Sequence, residues 1–185
     1  MNNYNNKLET IKKRCQTSSK IVGFLRIFPA IGCISSIIGL IACILNNEAI
    51  NEKVAAAVAQ GDLSLQDFSM GMGSLFRVVV DFDGFYQSGN YVEPSIIACI
   101  FAAIICVMAY VLLTLLKNIF TELSLEETPF SDSVMKRIKI SFIIITLILL
   151  GNSAGVALIG GLSMWCIYSI LDYGKALQTE VDETL

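Results

Sequence analysis

The sequence contains no histidine. That absence removes the commonest general base in enzyme active sites and the commonest metal ligand. Charge is also scarce. The 13 Lys and Arg and 16 Asp and Glu make up 16% of 185 residues, against about 25% in an average soluble domain. The net charge of −3 gives no support to nucleic-acid binding. Cysteines occur without a pattern: Cys15, Cys33, Cys43, Cys99, Cys106 and Cys166 form no C-x-x-C pair. Five of them lie in apolar runs, where cysteine packs as a small hydrophobe. No disulfide framework or zinc site follows from the spacings, and no cofactor is expected.

What the chain has instead is long uncharged apolar runs. It is 55% hydrophobic, with a mean hydropathy of +0.67. Runs of 18 or more apolar residues read as transmembrane helices. After a polar, basic N-terminal segment (1–20), the first run covers 21–45 and contains Arg26 near its start, where a guanidinium can snorkel to headgroups. From Ile27 to Leu45 the helix is about 28 Å long, enough to cross the hydrocarbon core. A secretory signal peptide has an apolar core of only about 7–15 residues. "LIAC" (Leu40 to Cys43) resembles a lipoprotein cleavage box, but the apolar run continues past it through Ile44 and Leu45. An uncleaved anchor is the expectation.

Residues 46–93 form a polar insertion. "NEAINEKVAAAVAQGD" predicts a helix with Ile50, Val54 and Val58 on one face and Gly61 as its stop. Ser64, with Asp67 three residues on, offers a weak capping-box variant. "LFRVVVDFDGFYQ" alternates like a strand, with Asp83-Gly84 able to turn a hairpin. "DFDGFY" also invites a calcium reading, but Gly84 falls at the fourth position where an EF-hand loop needs glycine at the sixth.

Pro94 opens the second run, 94–116, and apolar periodicity continues through Ile119, Phe120 and Leu123, so this helix projects beyond the membrane. The polar segment 117–137 breaks at Thr128-Pro129, and Ser131 is the N-cap of a new helix. From Ile140 to Leu171 no residue is charged. At about 48 Å that run is too long for one crossing and short for two. "GNSAG" (Gly151 to Gly155) has turn chemistry, so the run reads as a tight hairpin of helix 138–151 and helix 154–174, followed by an acidic tail, 175–185. A three-crossing arrangement is the alternative.

Lys and Arg near membrane ends set orientation. Lys7, Lys12, Lys13, Arg14, Lys20 and Arg26 precede or open the first run; Lys117, Lys136, Arg137 and Lys139 flank the middle segment. The insertion holds only Lys53 and Arg77 against seven acids. The fold expected is therefore an all-α integral membrane protein: four transmembrane helices in an up-down-up-down bundle, with a small extracytoplasmic insertion between helices 1 and 2. Both termini would be cytoplasmic.

Two stretches, "TPFSDSVMKRIK" (Thr128 to Lys139) and "YGKALQTEVDETL" (Tyr173 to Leu185), resemble a bacterial membrane family, domain-of-unknown-function family 2975. The resemblance implies a bacterial cytoplasmic membrane protein, usually of four helices, often encoded beside a helix-turn-helix regulator. It implies no activity. The outer insertion looks long for that family and the hairpin connection abbreviated.

Catalysis is not expected. The mid-membrane polar residues, among them Ser35, Ser36, Thr114, Ser141, Thr146, Asn152, Ser153 and Ser163, have no carboxylate nearby in sequence. Such hydroxyls commonly bond their own backbone. Small residues four apart (Gly32/Ser36, Ser35/Gly39, Ala98/Ala102) read as helix-packing positions. The leading functional expectation is a non-enzymatic regulatory or partner-binding protein in the lipid bilayer. A small transporter, channel or immunity-type protein is the alternative. The candidate partner-binding residues are Pro129, Phe130 and Ser131 of the middle segment and Glu180, Asp182, Glu183, Thr184 and Leu185 of the tail.

Overall fold

The computed structural model describes residues 2–61, 84, 89–125 and 131–184. Among the described residues six helices have given bounds: α1 (Asn2–Leu25), α2 (Ile27–Leu45), α3 (Asn47–Gln60), α4 (Val92–Leu125), α5 (Asp132–Asn152) and α6 (Ala154–Thr184). No strand occurs among the described residues. The strand-like run 76–82, the cap at Ser64 and Asp67 and the break at Thr128-Pro129 lie outside them. Gly84, expected in a hairpin turn, is helical.

Three stretches are long and apolar enough to cross a membrane: Glu9–Leu45, Val92–Leu125 and Ala154–Val181. Of the four crossings expected, α5 is the one that falls short. Lys136, Arg137 and Lys139 occupy its first two turns, and its uncharged remainder from Ile140 is only about 20 Å long. Apolar side chains point outward along the long helices; Phe24, Trp165 and Ile170 are 63%, 71% and 69% exposed. Apolar surface on this scale marks contact with lipid or another protein.

The helix boundaries have local causes. Pro29 has no N–H to offer the carbonyl of Leu25 four residues back, and α1 ends at Leu25. The Arg26 N–H still donates to the Val22 carbonyl at 3.2 Å, so α1 passes into α2 through a single residue without opening a loop. Gly61 ends α3 with φ +78 and donates its N–H to the Ala57 and Val58 carbonyls. This left-handed position is easy only for glycine. At the start of α5, the Ser131 hydroxyl accepts from the Val134 N–H at 3.3 Å, as an N-cap should.

The chain divides into two compact units: residues 1–27, 109–147 and 158–185 form the first, and residues 28–108 and 148–157 the second. In the second unit α2 meets α4 through its smallest residues. A Cβ built on Gly32 would lie 2.8 Å from Cys106 Sγ, and one on Gly39 would lie 3.2 Å from Cys99 Sγ. Gly32, Ser36, Gly39 and Cys43 thus share the contact face, whereas Ser35 is exposed. The Ser36 hydroxyl donates to the Gly32 carbonyl at 2.8 Å, leaving no unsatisfied polar group in the seam. At the other end of this unit, the Asn51 side chain of α3 donates to the Gly89 carbonyl at 3.1 Å and accepts from the Tyr91 N–H at 2.8 Å. That clamp fixes the entry to α4, whose Val92 and Pro94 are buried.

The antiparallel register of α2 and α4 puts the thiols of Cys43 and Cys99 face to face. In a variant keeping only these two cysteines, mild oxidation should give an intramolecular crosslink, seen as a faster-migrating band. A variant keeping Cys33 and Cys99 should not crosslink, because Cys33 lies nearly three helical turns, about 15 Å, from Cys43 along α2. Equal yields from the two pairs would refute the register.

Candidate functional site

The first unit gathers four segments that lie far apart in sequence: α1, the end of α4, the start of α5 and the end of α6. Polar contacts join neighbouring pairs. Ser19 Oγ and Thr121 Oγ1 are 2.8 Å apart, connecting α1 to α4. At the base of α1, Arg26 Nη2 donates to the Tyr110 hydroxyl at 2.6 Å, and its guanidinium lies 4.7 Å from the ring centroid. One tyrosine therefore serves Arg26 twice, through its oxygen and through its π face.

Glu122 on α4 is the hub. Its Oε2 accepts from Arg137 Nη1 at 2.5 Å and from Ser133 Oγ at 3.2 Å, and its Oε1 accepts from Ser131 Oγ at 3.1 Å. The Glu122 and Arg137 side chains are 15% and 33% exposed. Ile119, Val134 and Met135 are buried beneath them. A carboxylate next to the first turn of α5 also meets the positive end of that helix. Arg137 is thus neutralised and Ser131 is held by two partners at once.

The pairing of α5 with α6 is antiparallel. Asp132 forms an ion pair with Lys175. Lys139 Nζ lies 6.0 Å from the Tyr168 ring centroid, and a Cβ on Gly161 would meet Thr146 Cγ2 at 3.3 Å. Rising numbers on one helix thus meet falling numbers on the other, as the hairpin reading of "GNSAG" requires. The Lys175 ammonium beside Asp132 holds that carboxyl below its ordinary value, by hydrogen bonding first and by charge second. Between α5 and α6 an open groove of about 730 Å³ runs from Leu147 to Asp172 and Ala176.

Of the residues expected to bind a partner, Pro129, Phe130 and Leu185 lie outside the described set. Ser131 bonds Glu122 and Val134 rather than the acidic tail. Glu180, Asp182, Glu183 and Thr184 all lie within α6, which continues to Thr184. The helix expected to end at 174 thus continues through the stretch expected as a tail, 175–185, as far as Thr184. Acids there oppose the helix dipole by only about 0.3–1 kcal/mol, less in salt. Between Lys175 and Thr184 there is no Gly or Pro to stop the helix. Leu177 and Val181, four apart on α6, are both exposed, at 43% and 56%.

The residues missed by sequence reasoning are Glu122, Arg137, Asp132 and Lys175 as partners. A usable signal existed for one of them: Lys175 is the only basic residue after Lys139. No three His, Cys, Asp or Glu residues converge as a metal site among the described residues. The chain matches no protein-family model, no curated protein and no solved structure.

Proposed function

We propose that this is a multi-pass protein of the bacterial cytoplasmic membrane, akin to domain-of-unknown-function family 2975, that works without catalysis by holding a protein partner on its cytoplasmic segments. One observation carries the reading. The first unit contains eleven of the thirteen Lys and Arg and nine of the sixteen acids, while the second contains two and seven. Basic residues near membrane ends are retained on the cytoplasmic side. The segments gathered in the first unit, including the start of α5 and the end of α6, then face the cytoplasm, and the insertion at 46–93 faces outward. In this topology α5 is a short fourth crossing, extended by snorkelling of Lys136 and Lys139, and both termini are cytoplasmic.

The resemblance carried by Thr128 to Lys139 and Tyr173 to Leu185 supports the same assignment: both stretches belong to the first unit. A helical tail whose sequence carries Glu180, Asp182 and Glu183 within four positions suits a basic partner surface. Two measurements test the proposal. A reporter fused after Leu185 should be active only in its cytoplasmic form; an exported reporter would sink the topology. Partners crosslinked in membranes should be lost when Glu180, Asp182 and Glu183 are replaced together by lysine, with the protein's abundance unchanged. The same partner set from both proteins would remove the tail from the interface.

A further inference from the structure

The α5–α6 groove has a direction. Its walls near the hairpin turn are apolar: Phe142, Ile143, Leu147, Met164 and Trp165. The hydroxyl of Thr146, which also lines it, already donates to the Phe142 carbonyl at 2.9 Å, so that end presents no free polar group. The opposite end carries Lys139, Tyr168, Asp172 and Tyr173. From Leu147 to Lys139 the groove is roughly 12 Å long, most of the depth of one leaflet's hydrocarbon, about 15 Å.

The polar end holds one cation and one anion. Lys139 touches the Tyr168 ring, and among the described residues neither Lys139 nor Asp172 belongs to an ion pair. The neighbouring charges are already engaged: Arg137 by Glu122, and Lys175 by Asp132, with Asp172 a more distant electrostatic neighbour of Lys175. Tyr173 is 66% exposed beside them, as aromatic residues at a membrane–water interface commonly are.

We propose that this groove is a binding site for one glycerophospholipid with a zwitterionic, primary-amine headgroup. An acyl chain lies along the apolar walls, the phosphate meets Lys139, and the ammonium meets Asp172. A purely anionic headgroup gains Lys139 but is repelled by Asp172. A quaternary ammonium keeps its charge but has no N–H to donate to the carboxylate. The selectivity is therefore for phosphoethanolamine over both phosphoglycerol and phosphocholine.

The test uses the full chain in mild detergent and native mass spectrometry, titrating phosphatidylethanolamine, phosphatidylglycerol and phosphatidylcholine with matched acyl chains. One phosphatidylethanolamine should be retained about tenfold more strongly than either competitor, a gap of about 1.4 kcal/mol. Lys139→Ala should weaken retention of all three lipids, since each carries the phosphate, and keep the order that Asp172 sets. Asp172→Asn should shift it toward phosphatidylglycerol, because a net positive end remains. Lys136→Ala, which is outside the groove, should leave it unchanged. Equal retention of the three lipids, a preference that survives Asp172→Asn, or retention untouched by Lys139→Ala would mean annular lipid only and would overturn the proposal. So would a dimer that excludes lipid from the groove, since a second copy would then be its occupant. The two variants alter different charges at exposed positions, so misfolding of one leaves the other to decide.

Discussion

Gly32→Leu is expected to separate α2 from α4 and to abolish the Cys43–Cys99 crosslink. Helices in lipid gain nothing by hiding apolar surface from one another, because the surrounding chains are equally apolar; they associate through close van der Waals packing. Gly32 provides that closeness. Even a methyl group there would lie 2.8 Å from Cys106 Sγ, nearer than real contacts allow. Gly32→Ala alone should cost about 1–3 kcal/mol, the usual penalty for overpacking. Leucine adds three further carbons beyond that Cβ and should force α4 away. The opposing atom is a single sulfur, so Cys106→Ala should recover most of the loss in Gly32→Ala. That would give a coupling of about 0.5–3 kcal/mol in a double-mutant cycle. Gly151→Ala is the control: nothing lies within 4 Å of its added Cβ, and it should be nearly neutral. Unfolding of the detergent-solubilised protein reads all four variants. A Gly32→Ala protein as stable as the parent, with no coupling to Cys106, would mean that the helices do not meet at this seam.

The seam shows where sequence reasoning succeeds and where it stops. Its residue types were visible, since Gly32 and Ser36 are four apart in an apolar helix. The face was not, because α2 is apolar all round and offers two small-residue stripes, one through Ser35 and one through Ser36. Only contact with α4 chooses between them. Punctuation by special residues was legible: the span from Ile27 to Leu45, the stop at Gly61 and the cap at Ser131 each follow from one residue's backbone chemistry. The helix expected to end at 174 continues to Thr184, because neither Gly nor Pro follows Lys175 and acids near a helix C-terminus cost only about 0.3–1 kcal/mol. The polar hub was invisible for a different reason. Glu122 meets Ser131, Ser133 and Arg137 across 9, 11 and 15 residues of sequence, and no periodicity within a single helix encodes a contact made between two.

Glu122→Ala should be the most damaging change outside the apolar seams. It removes one acceptor group that serves three donors and leaves the Arg137 guanidinium without its partner on a surface that is only one-third exposed. A fully buried pair broken this way costs about 3–5 kcal/mol, and an exposed one about 0–1 kcal/mol. With Glu122 at 15% exposure and Arg137 at 33%, water screens part of the charge, so a loss of about 1–3 kcal/mol is expected. Glu122→Gln should fall between, because the amide oxygen can still accept one serine hydroxyl. Arg137→Ala should cost less than Glu122→Ala, since the carboxylate keeps Ser131 and Ser133 as donors. The Asp132–Lys175 pair supplies the comparison. The Asp132 side chain is 93% exposed, and Asp132→Ala should leave unfolding unchanged within error. High salt should separate the two pairs further, because screening acts on exposed charges first. If Asp132→Ala proves as harmful as Glu122→Ala, the start of α5 is anchored through α6 rather than α4. The binding surface proposed for the cytoplasmic segments would then have to be rebuilt around Lys175.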